Sequence, residues 1–149
     1  MLRRTHLAVG LGIAMHFVTH VPDQFLFIFM VMLATVLPDV DSGFSALGKS
    51  WFTKPVHLFV SHRGILHSYT FCVAVSVALT FIYSPLALPF FLGYSMHLFA
   101  DSFTVQGIKP FWPLNYESKG PVKTGGVVED TVFWTIVVID VFIIAGLFI

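Results

Sequence analysis

The chemistry available to this chain lies in a few histidines and carboxylates. His62 and His67 stand five residues apart in SHRGILHS (61–68), with Arg63 beside the first. His97 and Asp101 stand at i and i+4 in HLFAD, about one turn apart on one side of a helix. Asp39 and Asp41 share LPDVDS, where Pro38 biases Leu37 out of helix. If Asp39-Val40-Asp41 is extended, both carboxylates point the same way. His6 begins the first apolar segment, and Glu129 precedes the last. Neutral imidazole with carboxylate suits a borderline or hard divalent ion such as Zn²⁺ or Mn²⁺. The candidate ligands are His6, Asp39, Asp41, His62, His67, His97, Asp101 and Glu129. They are too many for one tetrahedral ion, which takes about four, and reasonable for two. Paired ions ~3.5–4 Å apart activate water and clamp both oxygens of a phosphoryl displacement. The single cysteine, Cys72, lies in an apolar run, so no disulfide forms within the chain and a metal must use nitrogen and oxygen.

Each feature has a plainer explanation when taken alone. A hydrogen bond at a helix end accounts for His97 and Asp101. Aspartates after a proline favour turns. Glu129 and Asp130 could simply favour a helix start through its dipole, and His6 could be an interfacial residue. The argument for a metal site rests on their convergence.

Convergence depends on the elements that carry them. The chain has 149 residues, 56% hydrophobic and only 11% charged, with mean hydropathy +0.86. A soluble domain carries about 25% charge, so this is a membrane protein, read as a single domain over 1–149. Net charge is zero, and nothing points to a nucleic-acid partner. Apolar helical segments fall at about 6–20, 24–38, 65–84, 86–105 and 131–149. The expected fold is therefore all-α: a polytopic membrane bundle of about five helices. A spanning helix needs ~20 residues; the last three segments qualify and the first two look short. The basic, then apolar, N-terminus could be a signal peptide, but no A-x-A site follows, which favours an uncleaved first helix.

If the segments alternate sides, one face receives the N-terminus and the connections 39–64 and 106–130. Those regions hold Arg3, Arg4, Lys49, Lys54, Arg63, Lys109, Lys119 and Lys123, which are all the lysines and arginines in the chain. The positive-inside rule puts that face in the cytoplasm. All eight candidate ligands fall on it as well. His16, His20 and Asp23 fall on the opposite face, where the spacing of HFVTH is read as structural. Asp140, midway along the last segment, is an intramembrane carboxylate and so a functional candidate.

In order, TH (5–6), LPDVDS (37–42), HRGILHS (62–68), GYSMHLFADSFTVQGIKPFWP (93–113) and TGGVVE (124–129) resemble the YdjM-like family of membrane-bound metal-dependent hydrolases, known in some bacteria as LexA-regulated inner-membrane proteins. The resemblance runs from His6 to Glu129. It implies a helical membrane protein with a hydrolase site, and carries over the eight residues above as the polar motif positions. Ser42 stands where the family pattern often has histidine. A distant similarity to zinc-dependent phospholipase C and P1-type nucleases is implied at the level of fold. The expected activity is hydrolysis of a phosphoester or lipid-like substrate at the cytoplasmic face of the inner membrane, with two divalent ions. Glu129 or Asp41 would be the general base, and Arg63 would bind substrate phosphate. Two rivals stand beside it. One is a transporter using His16, His20, Asp23 and Asp140; the other is a structural protein in which the metal only staples helices.

Overall fold

The computed structural model describes residues 1–39 and 65–148. Asp41, Ser42, His57, His62 and Arg63 lie outside them. Among the described residues there are five α-helices and no named strand: α1 Arg3–Phe17, α2 Gln24–Val36, α3 Tyr69–Tyr83, α4 Ala87–Ser102 and α5 Val127–Gly146. A 3₁₀ turn, Ser84–Leu86, joins α3 to α4 without a break, so Tyr69–Ser102 is one 34-residue helical run folded back on itself. Contacts across the fold show the reversal: Tyr69 Oη donates to the Ser95 carbonyl at 3.3 Å, and Phe71 packs on Tyr94. An all-helical membrane bundle is the architecture.

Local chemistry sets the boundaries, and several differ from expectation. α1 starts three residues earlier than expected, so His6 sits inside the helix. The third segment begins with a 3₁₀ turn, Ile65–His67, and α3 follows only at Tyr69. Ser68 is the reason: its Oγ accepts from the Phe71 amide at 3.2 Å as an N-cap. His67 therefore precedes the helix rather than lying in its first turn. Leu37 keeps right-handed helical angles despite Pro38, and Leu37–Asp39 is a 3₁₀ turn. α5 begins at Val127, so Glu129 and Asp130 occupy its first turn, where the helix dipole favours them. With 15 and 16 residues, α3 and α4 are shorter than expected; α5, with 20, is about 30 Å long and matches a bilayer core.

α4, α2 and α1 pack against one another, α3 flanks α4, and α5 flanks α1. Lipid tails are as apolar as leucine, so close packing and polar contacts must hold such a bundle. Gly93 allows it: a Cβ there would strike the Val31 carbonyl and Ala34 of α2. Beside it, Ala34, Cys72, Phe90, Tyr94, Leu98 and Ile108 form the main core. Outward, Phe25, Phe81, Trp134 and Phe142 are exposed, an apolar rim suited to lipid.

The two ends differ. At one, the Leu2 amide donates to Glu129. The segment 103–126 folds across the same end through bridges Thr104–Val122 and Ile108–Ser118, and the Tyr69 amide donates to the Pro110 carbonyl at 2.9 Å. At the other, the α1–α2 connection at Val21–Asp23 meets the Ser84–Pro85 turn. Arg3, Arg4, Lys109, Lys119 and Lys123 all belong to the first end, which is also where the histidine cluster lies.

Candidate metal centre

Five residues from four segments converge just inside that end. His6 comes from α1, Asp39 from the turn after α2, His67 from the turn before α3, and His97 with Asp101 from α4. All but Asp39 are buried. His67 Nε2 and His97 Nε2 each lie 3.8 Å from Asp39 Oδ1. His97 Nε2 lies 3.7 Å from Asp101 Oδ2, and His6 Nε2 lies 3.3 Å from Asp101 Oδ1. Ligands held ~2.0–2.2 Å from a tetrahedral ion stand roughly 3.3–3.6 Å apart, close to every one of these separations.

α4 supplies most of the framing. Gly93, His97 and Asp101 repeat every four residues, and Tyr94 stands three before His97, so they share one side of the helix. Gly93 lets α2 approach, which brings the Thr35 carbonyl to 2.8 Å from His97 Nδ1. Nδ1–H donates to that carbonyl, so Nε2 carries the lone pair and faces the two aspartates. Tyr94 Oη donates to the Leu66 carbonyl at 2.6 Å and fixes the turn that presents His67. His6 stacks on His97, with ring centroids 3.8 Å apart and planes 15° from parallel.

The donor chemistry fits a cation. His6 Nδ1 and Nε2, His67 Nδ1 and His97 Nε2 are buried without a hydrogen-bond partner among the described residues. The 3.3 Å approach of His6 to Asp101 lacks hydrogen-bond direction, so it leaves that nitrogen unsatisfied. Orphaned buried polar atoms are costly and uncommon, and two of these, His6 Nε2 and His97 Nε2, lie beside Asp39 or Asp101, an arrangement a divalent ion would resolve. Two trios of donor atoms lie within 4.8 Å of one another: His6, Asp39 and His97, and His67, His97 and Asp101. Asp101 also accepts from the Met1 ammonium. Burial by itself would raise the Asp39 carboxyl. The nearby His67, His97 and His6 rings outweigh it, and the group sits below its ordinary value.

Glu129 departs from the expected ligand set. Its Oε1 accepts from the Leu2 amide at 2.5 Å and the Thr5 hydroxyl at 3.0 Å, and its Oε2 accepts from the Gly125 amide at 2.6 Å. Three of its roughly four acceptor positions are thus taken, and it belongs to neither trio. Its place is that of a clasp between the starts of α1 and α5. Neighbouring Asp130 pairs with Arg4 at an exposed position, where an ion pair adds little stability. The expected ligands Asp41 and His62, and the phosphate-binding Arg63, lie outside the described residues.

Sequence reasoning missed the Thr35 carbonyl, the Tyr94 hydroxyl and the Thr5 hydroxyl. Tyr94 and Thr5 stood beside the motif histidines; a backbone carbonyl leaves no mark in a sequence. At the opposite end, Asp23 caps α2 by accepting from the Leu26 amide at 2.9 Å, and His20 Nδ1 meets Thr19 Oγ1 at 3.1 Å, in keeping with a structural role.

A family model described as YdjM inner membrane protein matches residues 1–148. The inner membrane protein YdjM of Escherichia coli (strain K12) is 31% identical over 103 residues, which cover 61% of this chain and 51% of that protein. The protein of the same name from Shigella flexneri matches to the same extent. The chain thus spans about half the length of the curated relatives it matches. No solved structure matches.

Proposed function

From the premise that the chain belongs to the YdjM inner membrane protein family, we propose that it is a metal-dependent hydrolase whose centre, at the basic end of the bundle, acts on a phosphoester. One observation carries the reading: His6 Nε2 and His97 Nε2, buried and without a hydrogen-bond partner among the described residues, face Asp101 and Asp39 at close to ligand spacing.

His67, His97 and Asp101 would hold one ion, with Asp39 beside them, Zn²⁺ or Mn²⁺ by donor type. His6, Asp41 and His62 remain as candidate donors to a second. Bound there, a divalent ion supplies Lewis acidity toward a phosphoryl oxygen and a nucleophilic water near neutral pH. The chain's own residues do the rest. Thr35 holds the His97 proton on Nδ1. Tyr94 and Ser68 fix the turn carrying His67. Arg63 binds the anionic substrate through its planar fork, and Asp41 takes a proton from water. With Glu129 committed to three donors, the base is assigned to Asp41. The lysines and arginines at this end orient it to the cytoplasm.

The test is metal content together with turnover of a chromogenic phosphodiester, in wild type and His97→Ala. Stoichiometric metal and turnover, both lost in the variant, support the reading. Metal held without turnover on any phosphoester indicates a staple that only fastens helices.

A further inference from the structure

A groove of about 640 Å³ runs along α1 between α4 and α5. It exists because α5 packs chiefly on α1 and leaves a gap to α4. Its walls are apolar, with Val9 and Ile13 of α1, Met96 and Phe99 of α4, and Ile136 and Ile139 of α5. We propose that this groove seats one acyl chain of a glycerophospholipid, with the lipid's phosphate held at the polar end beside the His/Asp centre. The headgroup half of this assignment rests on the centre acting on phosphoesters; the seating of the chain does not.

Continuity is the first argument. Thr5 and Ala100 line the upper end of the groove, and each is one residue from a member of the centre, His6 and Asp101. Dimensions are the second. From Thr5 to His16, which both line it, α1 rises about 17 Å. That is roughly half of the ~30 Å hydrocarbon core, or one leaflet. Along that length the lining is almost wholly hydrocarbon, the surface an acyl chain matches. Charge is the third. Lys123 is exposed beside Val122 of the lining, and Arg3 is exposed at the same end of α1, where anionic headgroups lie.

Partway along, the groove meets a carboxyl. Asp140 is buried over Gly12, and a Cβ on Gly12 would meet its carboxyl oxygen. The missing side chain of Gly12 makes room for the carboxyl, which lies about 10 Å along α1 from Thr5, with His16 and Ile143 lining the groove beyond it.

The test uses the purified full chain in liposomes containing a phosphatidylglycerol with a diazirine midway along one acyl chain. After irradiation, adducts are mapped by mass spectrometry. Adducts several-fold enriched at Val9, Ile13, Phe99 and Ile136 over the exposed Phe81 and Phe142 are expected. Val132→Trp or Ile136→Trp, made separately so that one misfolding variant does not decide the matter, should remove the enrichment in a protein that retains its helical spectrum. Even labelling of groove and outer residues, or enrichment that survives both folded tryptophan variants, would overturn the assignment. The His97→Ala variant separates the two readings. Groove adducts that persist without metal support the groove independently of the hydrolase, and even labelling of a metal-loaded, active protein removes the groove and leaves the centre.

Discussion

Replacing Glu129 with glutamine separates a clasp from a ligand. The carboxylate receives two donors on Oε1 and one on Oε2. Glutamine placed with its oxygen toward Leu2 and Thr5 keeps two bonds but makes them neutral. A bond to a charged group contributes about 1.5–3 kcal/mol and a neutral one about 0.5–1.5 kcal/mol, so each loses about 1 kcal/mol. The amide nitrogen then faces the Gly125 N–H, and a buried donor left unsatisfied costs about 1–3 kcal/mol more. The sum is roughly 3–5 kcal/mol. At about 2–4 °C per kcal/mol for a chain of this size, the midpoint of unfolding should fall by roughly 10 °C. The assay is thermal unfolding of the detergent-purified variant, with elemental analysis of the same sample before heating. The expected result is a large loss of stability with metal content unchanged. A variant that keeps its midpoint and loses its metal would refute the reasoning and restore Glu129 to the ligand set.

Three further perturbations address the frame around the centre. His67→Ala should weaken metal binding by more than the ~10–100-fold that outer-shell partners typically carry, read by competition with a chromogenic chelator. Tyr94→Phe deletes the bond to the Leu66 carbonyl; it should cost about 1–2 kcal/mol of stability and lower metal affinity ~10-fold through the loosened His67 turn. Gly93→Ala drives a methyl group at the Val31 carbonyl and should destabilise by about 1–3 kcal/mol, as overpacking does. An alanine variant with wild-type stability would show that α2 and α4 approach less closely than described.

Five apolar segments, two short connections and the gathering of positive charge at one end were legible because hydropathy and charge are properties of the sequence itself. His6, Asp39, His67, His97 and Asp101 could be placed at one end by counting crossings alone. What the sequence left open is what depends on partners distant in the chain. Glu129 looks like any motif carboxylate until Leu2, Thr5 and Gly125 are seen to fill its acceptors. The tautomer of His97 is set by a backbone carbonyl of α2, which exists in every residue and so marks none. The helix starts at Tyr69 and Val127 were misplaced because a capping serine and a glycine, rather than the hydropathy pattern, decide them. The relation of Asp140 to Gly12 depends on which side of α1 meets α5, and the hydropathy pattern does not mark that side.

The central claim is that the buried imidazoles and aspartates hold metal. The most direct measurement is elemental analysis of the protein purified without chelators, beside the His97→Ala variant. Stoichiometric zinc or manganese in the wild type, lost in a variant that keeps its helical spectrum, is the predicted result. A wild-type protein without metal that takes up none when zinc or manganese is supplied would contradict the account.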